Sequence, residues 1–485
     1  MIKNKKSILL IVSFLLSTWG YAQKERDTIR YRVGFEDSNT KGDSLINEIA
    51  DTTAMKSKIY YTEDLVDFFE KLRLLEKNKQ GKINIVHIGD SHIQADFFSG
   101  KMRKMLQDRF GNGGFGFAFP YKLAKTNGSS IVRYTSNVDW TSYRNIYPVN
   151  GANVGLSGIA LATDNKNLVI ELSVRDSEYG FSRMKVFTPD NSGVYKLGLA
   201  DKHIKLESSV PKKITHTIRN GESLSSIANK YKITVNTLKS LNKLKNNTIH
   251  AGKKLSIPTP DREPVVISHD VFTSLEGKKA EGFYDFKFKE ELDKIYIYPD
   301  QESDLYDLNG VVLENNKAGI IYHTIGVNGA KFSDYNKYPL FFEQLKGLEA
   351  DLVIVSMGTN EAFDRMSVED FEKNVNEFLQ NVKAQVPNVS ILVTTPPPSY
   401  FSKGKPNTIA SEYSNGLIIN GIDNQYAIWD LYYSIGGTLG LKKLVDENLL
   451  AKDLVHYTIK GYDYTGELFF QALIEAYDNY INTRN

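Results

Sequence analysis

The sequence predicts an α/β protein: a parallel sheet covered on both faces, split by an inserted β-sandwich-like region that itself encloses a small βααβ module. Three observations carry this expectation. Apolar strand-like runs such as "INIVHI" (83–88) and "DLVIV" (351–355) alternate with helical segments at both ends of the chain, the pattern of a buried parallel sheet. From 136 to 212, and again from 259 to 315, short strand-like runs with polar punctuation replace that pattern. Between those stretches, residues 213–258 read strand, helix, helix, strand.

The elements follow in order. Lys3, Lys5 and Lys6 precede the apolar run "SILLIVSFLLSTW" and then "GYAQ", which reads as a secretory signal over 1–22 cleaved after Ala22. The run is short for a membrane span, so no stable membrane anchor is expected after cleavage. Residues 23–57 are polar, without a sustained period, and read as a linker. The first part of the α/β unit is expected over 58–135. There Leu65, Phe68, Phe69, Leu72 and Leu75 share one helical face, a strand follows at Ile83–Ile88, and a helix runs over roughly 95–110. "FGNGGFGFAFP" (110–120) reads as a glycine-rich loop that lacks the spacing and the Gly-Lys-Ser/Thr of a phosphate loop. The second part is expected over 316–485, with strands in "DLVIVSMGTNEAF", "SILVTTPPPS" and "YAIWDLYYSIGG". Helices are expected in "SVEDFEKNVNEFLQNVKAQ", capped by Ser367, and at the C-terminus. In the nested module Ser223 and Thr234 stand where helix caps belong.

Composition sets limits. Of 485 residues 41% are hydrophobic and 24% charged, enough for a sizeable core. Without residues 1–22 the chain has 57 basic and 58 acidic residues, a balance that gives nucleic-acid binding no support. There is no cysteine, which excludes disulfides, a thiol nucleophile, a lipidated-cysteine anchor and cysteine-based zinc sites. No cofactor or metal is expected. The address read from the leader is export, to the periplasm or outer cell envelope or beyond.

The chemistry centres on "GDSH" (89–92), where the first apolar strand stops. Gly, Asp and Ser make good turns and caps. A serine at that point is also well placed for a nucleophile, because open α/β sheets build sites beyond the C-terminal ends of their strands. A serine hydrolase needs a base, an acid to orient it, and donors for the oxyanion. "KDLVHYT" (452–458) spaces Asp453 three residues before His456, which allows the carboxylate to reach Nδ1 while Nε2 faces the serine. "IGVNGAKF" (325–332) offers the N–H of Gly329, with Gly326 a competitor, and "SMGTNE" (356–361) offers the Asn360 amide.

Serine, glycine, asparagine and Asp-x-x-His, in that order over 58–135 and 316–485, resemble the SGNH (GDSL-like) hydrolases. The resemblance implies a flavodoxin-like three-layer fold. It implies Ser91 as nucleophile, His456 as base and then acid, Asp453 as its orienting partner, and an oxyanion hole of the Ser91 N–H, the Gly329 N–H and the Asn360 side chain. "GDSH", "DFFSGKMRKMLQDRFGNGGFGF" and "DLVHYTIKGYDYTG" are most similar to the peptidoglycan O-acetylesterase branch, which also carries a β-sandwich module after the serine block. The nested segment "IRNGESLSSIANKY", with Leu238, Leu241, Asn242 and Leu244 and the ending "GKKLSIP", resembles a LysM domain. That resemblance implies binding of peptidoglycan or another N-acetylglucosamine-containing glycan through 213–258. Nine basic residues against Glu222 give this segment +8, which suits an anionic wall. The expected activity is an exported serine esterase removing O-acetyl groups from peptidoglycan. An O-acetyltransferase, an esterase on another acetylated polysaccharide, and a non-catalytic wall-binding scaffold are the alternatives. Asp90 is read as bracing the loop, His92 and Gln94 either as substrate contacts or as packing behind the site, and Tyr179, Phe181, Phe187 and Tyr195 as core.

Overall fold

A computed structural model describes residues 57–401 and 404–484. The proposed signal and nearly all of the linker lie outside them. Seven strands make the central sheet: β1 (Ile59–Tyr60), β2 (Lys82–Gly89), β3 (Asn112–Gly114), β4 (Gly319–Gly326), β5 (Leu352–Ser356), β6 (Ser390–Thr394) and β7 (Ala427–Trp429). Their order is β1-β7-β6-β5-β2-β4-β3. All neighbours are parallel except the two-residue edge strand β1, which runs antiparallel to β7.

Strand alternation sorts the side chains into two layers. Ile83, Ile85, Leu352, Ile354, Leu392 and Trp429 face the helices Val66–Asn78, Phe97–Phe110 and Ile459–Asn482. Val86, Ile88, Val353, Val355, Ile391 and Val393 face the other way, onto the helices Pro339–Leu345, Val368–Gln385 and Ile409–Asn424. This is the three-layer α/β architecture expected from the sequence.

The inserted region contains two five-stranded sheets and a three-stranded one, every pairing antiparallel. Its inward residues, among them Tyr134, Leu172, Met184, Leu197, Ile297 and Leu313, form one continuous core with the second face of the parallel sheet. Tyr179, Phe181, Phe187 and Tyr195 belong to that core, as read. The insertion is therefore welded to the α/β unit rather than tethered to it.

Two expectations need correction. "FGNGGFGFAFP" is not a loop: Asn112–Gly114 completes the parallel sheet, and Gly116–Ala118 pairs with Gly310–Glu314 in the β-region. Glycine is required for this crossing between sheets. Gly114 has φ +136°, and a Cβ there would sit 2.6 Å from Leu313 O. The strand Val132–Ser136 also pairs within the β-region, so that region begins earlier than the expected 135/136 boundary.

The nested module has its own core of Ile218, Leu224, Ile227, Leu238, Leu255 and Ile257. Ser223 and Thr234 cap its helices, Leu224–Lys230 and Val235–Leu241, accepting from Ser226 N and Thr237 N. Asn242 clamps the closing strand by exchanging hydrogen bonds with the backbone of Ser256. The paired strands Glu207–Thr217 and Lys254–Pro264 continue beyond the module as a two-stranded ribbon.

Candidate active site

Register aligns the C-terminal ends of the central strands. Gly89 stands opposite Gly326 and Ser356, and Ser356 opposite Thr394. The segments that follow therefore leave the sheet along one edge. Strand order reverses about β2, the place where open α/β sheets form a crevice.

Ser91 opens the short helix Ser91–Gln94 directly after β2. Asp90 caps it, its Oδ1 accepting from His92 N at 2.9 Å. The turn is possible because Gly89 has no side chain: a Cβ would lie 2.3 Å from Ile93 Cγ1 and 2.7 Å from Ser356 O. Ser91 Oγ lies 2.8 Å from His456 Nε2, and His456 Nδ1 lies 2.8 Å from Asp453 Oδ2. The three residues expected to act together are thus one hydrogen-bonded chain, spanning 365 residues of sequence.

Asp453 also holds the turn that presents His456. Its Oδ1 accepts from the backbone N–H of Val455 and of His456, both at 3.0 Å. Partial burial pushes this carboxyl up, but the two amides and the imidazole outweigh it and leave it below the usual carboxylate range. It is therefore anionic at neutral pH and suited to fixing Nδ1 as the protonated nitrogen of His456.

The loop after β4 carries Gly329 at φ +84°, open except for Ile146 Cδ1 3.5 Å from where a Cβ would be. Gln94 fixes that loop: its Oε1 accepts from Asn328 N at 2.6 Å, and its Nε2 donates to Asn127 O at 2.6 Å. Gly326, the sequence competitor, sits instead against the Ser91–Gln94 helix, where a Cβ would lie 2.4 Å from Gln94 N. Asn360 stands on the short helix Thr359–Phe363 beyond β5. Its Nδ2 donates to Ala330 O at 2.9 Å and to Asp90 Oδ2 at 3.2 Å. Both amide hydrogens thus have protein acceptors, so donation to an oxyanion requires one of these bonds, the longer one to Asp90 being the weaker, to be exchanged or shared.

Behind the serine Asp90, His92 and Glu361 are buried. Burial pushes the Asp90 carboxyl up to about 7 and the Glu361 carboxyl up to about 8. Burial, with the His456 charge, pushes His92 down to about 3. His92 stays neutral, its Nδ1 3.0 Å from Tyr462 Oη and its ring centroid 5.3 Å from that of His456. Both His92 and Gln94 are buried, which places them as supports. Sequence reasoning missed Tyr462 and the hold of Gln94 on the Asn328 peptide. A tyrosine on a helical face and a glutamine in a short turn give no pattern that marks either. Among the described residues no cluster of three His, Asp or Glu groups could hold a metal ion.

Comparison with known proteins bears on both units. Residues 298–464 match the model of the GDSL-like Lipase/Acylhydrolase family, a span that contains Gly329, Asn360, Asp453 and His456. Residues 216–258 match the LysM domain model. Among solved structures, a peptidoglycan O-acetylesterase aligns over 85% of this chain and 96% of its own, at 21% identity and a TM-score of 0.58. A lipase/acylhydrolase from Enterococcus faecalis aligns over 32% of this chain and 75% of its own, at 20% identity and a TM-score of 0.25. No curated protein sequence matches this chain.

Proposed function

We propose that this chain, which carries a GDSL-like esterase domain and a LysM domain, removes O-acetyl groups from peptidoglycan with Ser91 as nucleophile. The observation that carries the reading is the unbroken contact from Ser91 Oγ through His456 to Asp453, at 2.8 Å in each step. Ser91 Oγ attacks the acetyl carbonyl carbon while His456 Nε2 takes its proton. The imidazolium, steadied by Asp453, returns that proton to the departing sugar oxygen. Water, deprotonated by His456, then cleaves the acetyl-serine and releases acetate. The N–H groups of Ser91 and Gly329 and the Asn360 amide serve the oxyanion.

The substrate class rests on the LysM domain, a module for N-acetylglucosamine-containing glycans, and on the similarity to a solved peptidoglycan O-acetylesterase. The module's single acid, Glu222, is held by His216 Nε2 and Arg219 N, which leaves its nine Lys and Arg residues to set the local field. The reading includes export to the cell envelope. Among the described residues no helix is long and apolar enough to cross a membrane.

The direct test is acetate release from O-acetylated peptidoglycan, with a small aryl acetate assayed beside it. Cleavage of the aryl ester without acetate release from the wall would move the enzyme to another ester. Two further outcomes are expected. Asn360→Ala lowers kcat on the aryl ester by about 10²–10³-fold with KM little changed; full activity in a folded variant would remove Asn360 from the oxyanion hole. Excising 213–258 and closing the ribbon with a short turn leaves aryl-ester hydrolysis intact, because that module has a separate core. Retention on insoluble peptidoglycan falls by about tenfold or more. Undiminished retention would assign wall binding to another part of the chain.

A further inference from the structure

A cavity of about 440 Å³ lies where the β-region meets the α/β unit, between the Ser91–Gln94 turn and the strand Val132–Ser136. Gln94 and Asp96 reach it from one side, Tyr121 forms part of its wall, and Lys122, Arg133 and Arg175 line it from the other. Asp96 is the only carboxylate in the lining, and it is already satisfied. It forms a bidentate pair with Arg103 and accepts from the Ser99 and Thr324 hydroxyls. Lys122, Arg133 and Arg175 make no ion pair among the described residues. Three exposed cations without an ion-pair partner therefore line one open pocket, an environment that attracts anions.

The position of the cavity is informative. Gln94 follows Ser91 by three residues on one helical turn, a rise of about 4.5 Å. The same side chain holds both Asn127, beside the cavity, and the Asn328 peptide next to Gly329. The cavity and the loop that carries Gly329 thus share one side chain, Gln94. In the wall glycan, one muramic acid ring carries both the acetylated hydroxyl and a lactyl-linked peptide with free carboxylates. We propose that the cavity receives those stem-peptide carboxylates, with Arg133 and Arg175 as their main partners, so that the enzyme selects acetylated sugars still bearing their peptide. This rests on the peptidoglycan reading given above and adds to it a determinant of specificity supplied by the inserted β-region.

The test uses the full chain and the double variant Arg133→Glu/Arg175→Glu. Both residues are exposed and unpaired, so the variant folds. Three substrates are compared: O-acetylated wall fragments with their stem peptides, the same fragments stripped of peptide by an amidase, and an aryl acetate. The double variant should lose about tenfold in kcat/KM on the peptide-bearing fragments, mainly through KM, and nothing on the other two. High salt should narrow the wild-type advantage. Equal losses with and without peptide, or no loss with peptide, would overturn the proposal while leaving the esterase reading standing. Wild type that cleaves the aryl ester but neither wall fragment would overturn the substrate reading, and this inference with it.

Discussion

Ser91→Ala lowers kcat on a small aryl acetate by about 10⁴–10⁶-fold, with the fold unchanged. The substitution removes one oxygen, and with it the hydrogen bond to His456 Nε2. The turn does not depend on that oxygen, because it is Asp90 that caps the helix and Gly89 that allows the tight approach to Ile93. Circular dichroism and thermal unfolding should therefore overlay wild type. The activity that remains reflects the oxyanion donors and binding alone. A folded Ser91→Ala protein retaining more than about a tenth of wild-type kcat would sink the nucleophile assignment, since a hydrogen-bonded Ser–His–Asp set acts as a unit.

The largest stability effect should come from a place outside the chemistry. Arg103 is fully buried and holds Asp96 through two parallel bonds of 2.8 and 2.9 Å. It also donates to Tyr322 O and Thr324 Oγ1, and its guanidinium lies 4.3 Å from the Phe115 ring centroid. Arg103→Met leaves the Asp96 carboxylate buried and unpaired, a loss of about 3–5 kcal/mol in denaturant unfolding. Asp96→Asn added to Arg103→Met should recover most of it, because no charge is then stranded. Burial raises the Asp96 carboxyl, but Arg103 and the hydroxyls outweigh it and keep it below its ordinary value. A lowered folded-state pKa contributes stability that is present above the unfolded carboxylate value and lost as pH falls through the folded one. The gap between wild type and Arg103→Met should thus narrow below about pH 4. A loss under about 1 kcal/mol, or no recovery in the double variant, would show that the pair is not what holds this junction.

Much of this molecule was legible in the sequence because its strongest signals are local. The buried strands are continuous apolar runs, the LysM segment is a closed set of spacings, and Asp453 and His456 are three residues apart. What was not legible depends on partners distant in sequence. "FGNGGFGFAFP" has four glycines, which weaken a strand pattern, and only its pairing with β4 and with Gly310–Glu314 makes it two strands. The helix Ile409–Asn424 contains Gly416 and Gly421, which weaken a helical pattern. Gly421 makes room for the Tyr61 ring, which a Cβ there would approach to 2.7 Å, while a Cβ at 416 would meet only the carboxylate end of Glu372. In the site, residue types were readable but occupancy was not. Nothing in "GTNE" announces that both hydrogens of the Asn360 amide already have acceptors. The cations Lys122, Arg133 and Arg175 come from separate turns and strands, and only the packing of the β-region gathers them.

The shared core of insertion and α/β unit also bears on how the chain reaches its active form. β2 cannot pair with β4 or β5 until the β-region and LysM have been synthesised, and parallel pairing at such separations is slow. LysM, whose contacts are local, can fold at once. A chain still being made therefore has its LysM module and Ser91 but not yet His456, whose turn directly precedes the final helix Ile459–Asn482. The hydrogen-bonded set of Ser91, His456 and Asp453 can therefore form only once nearly the whole chain has been made.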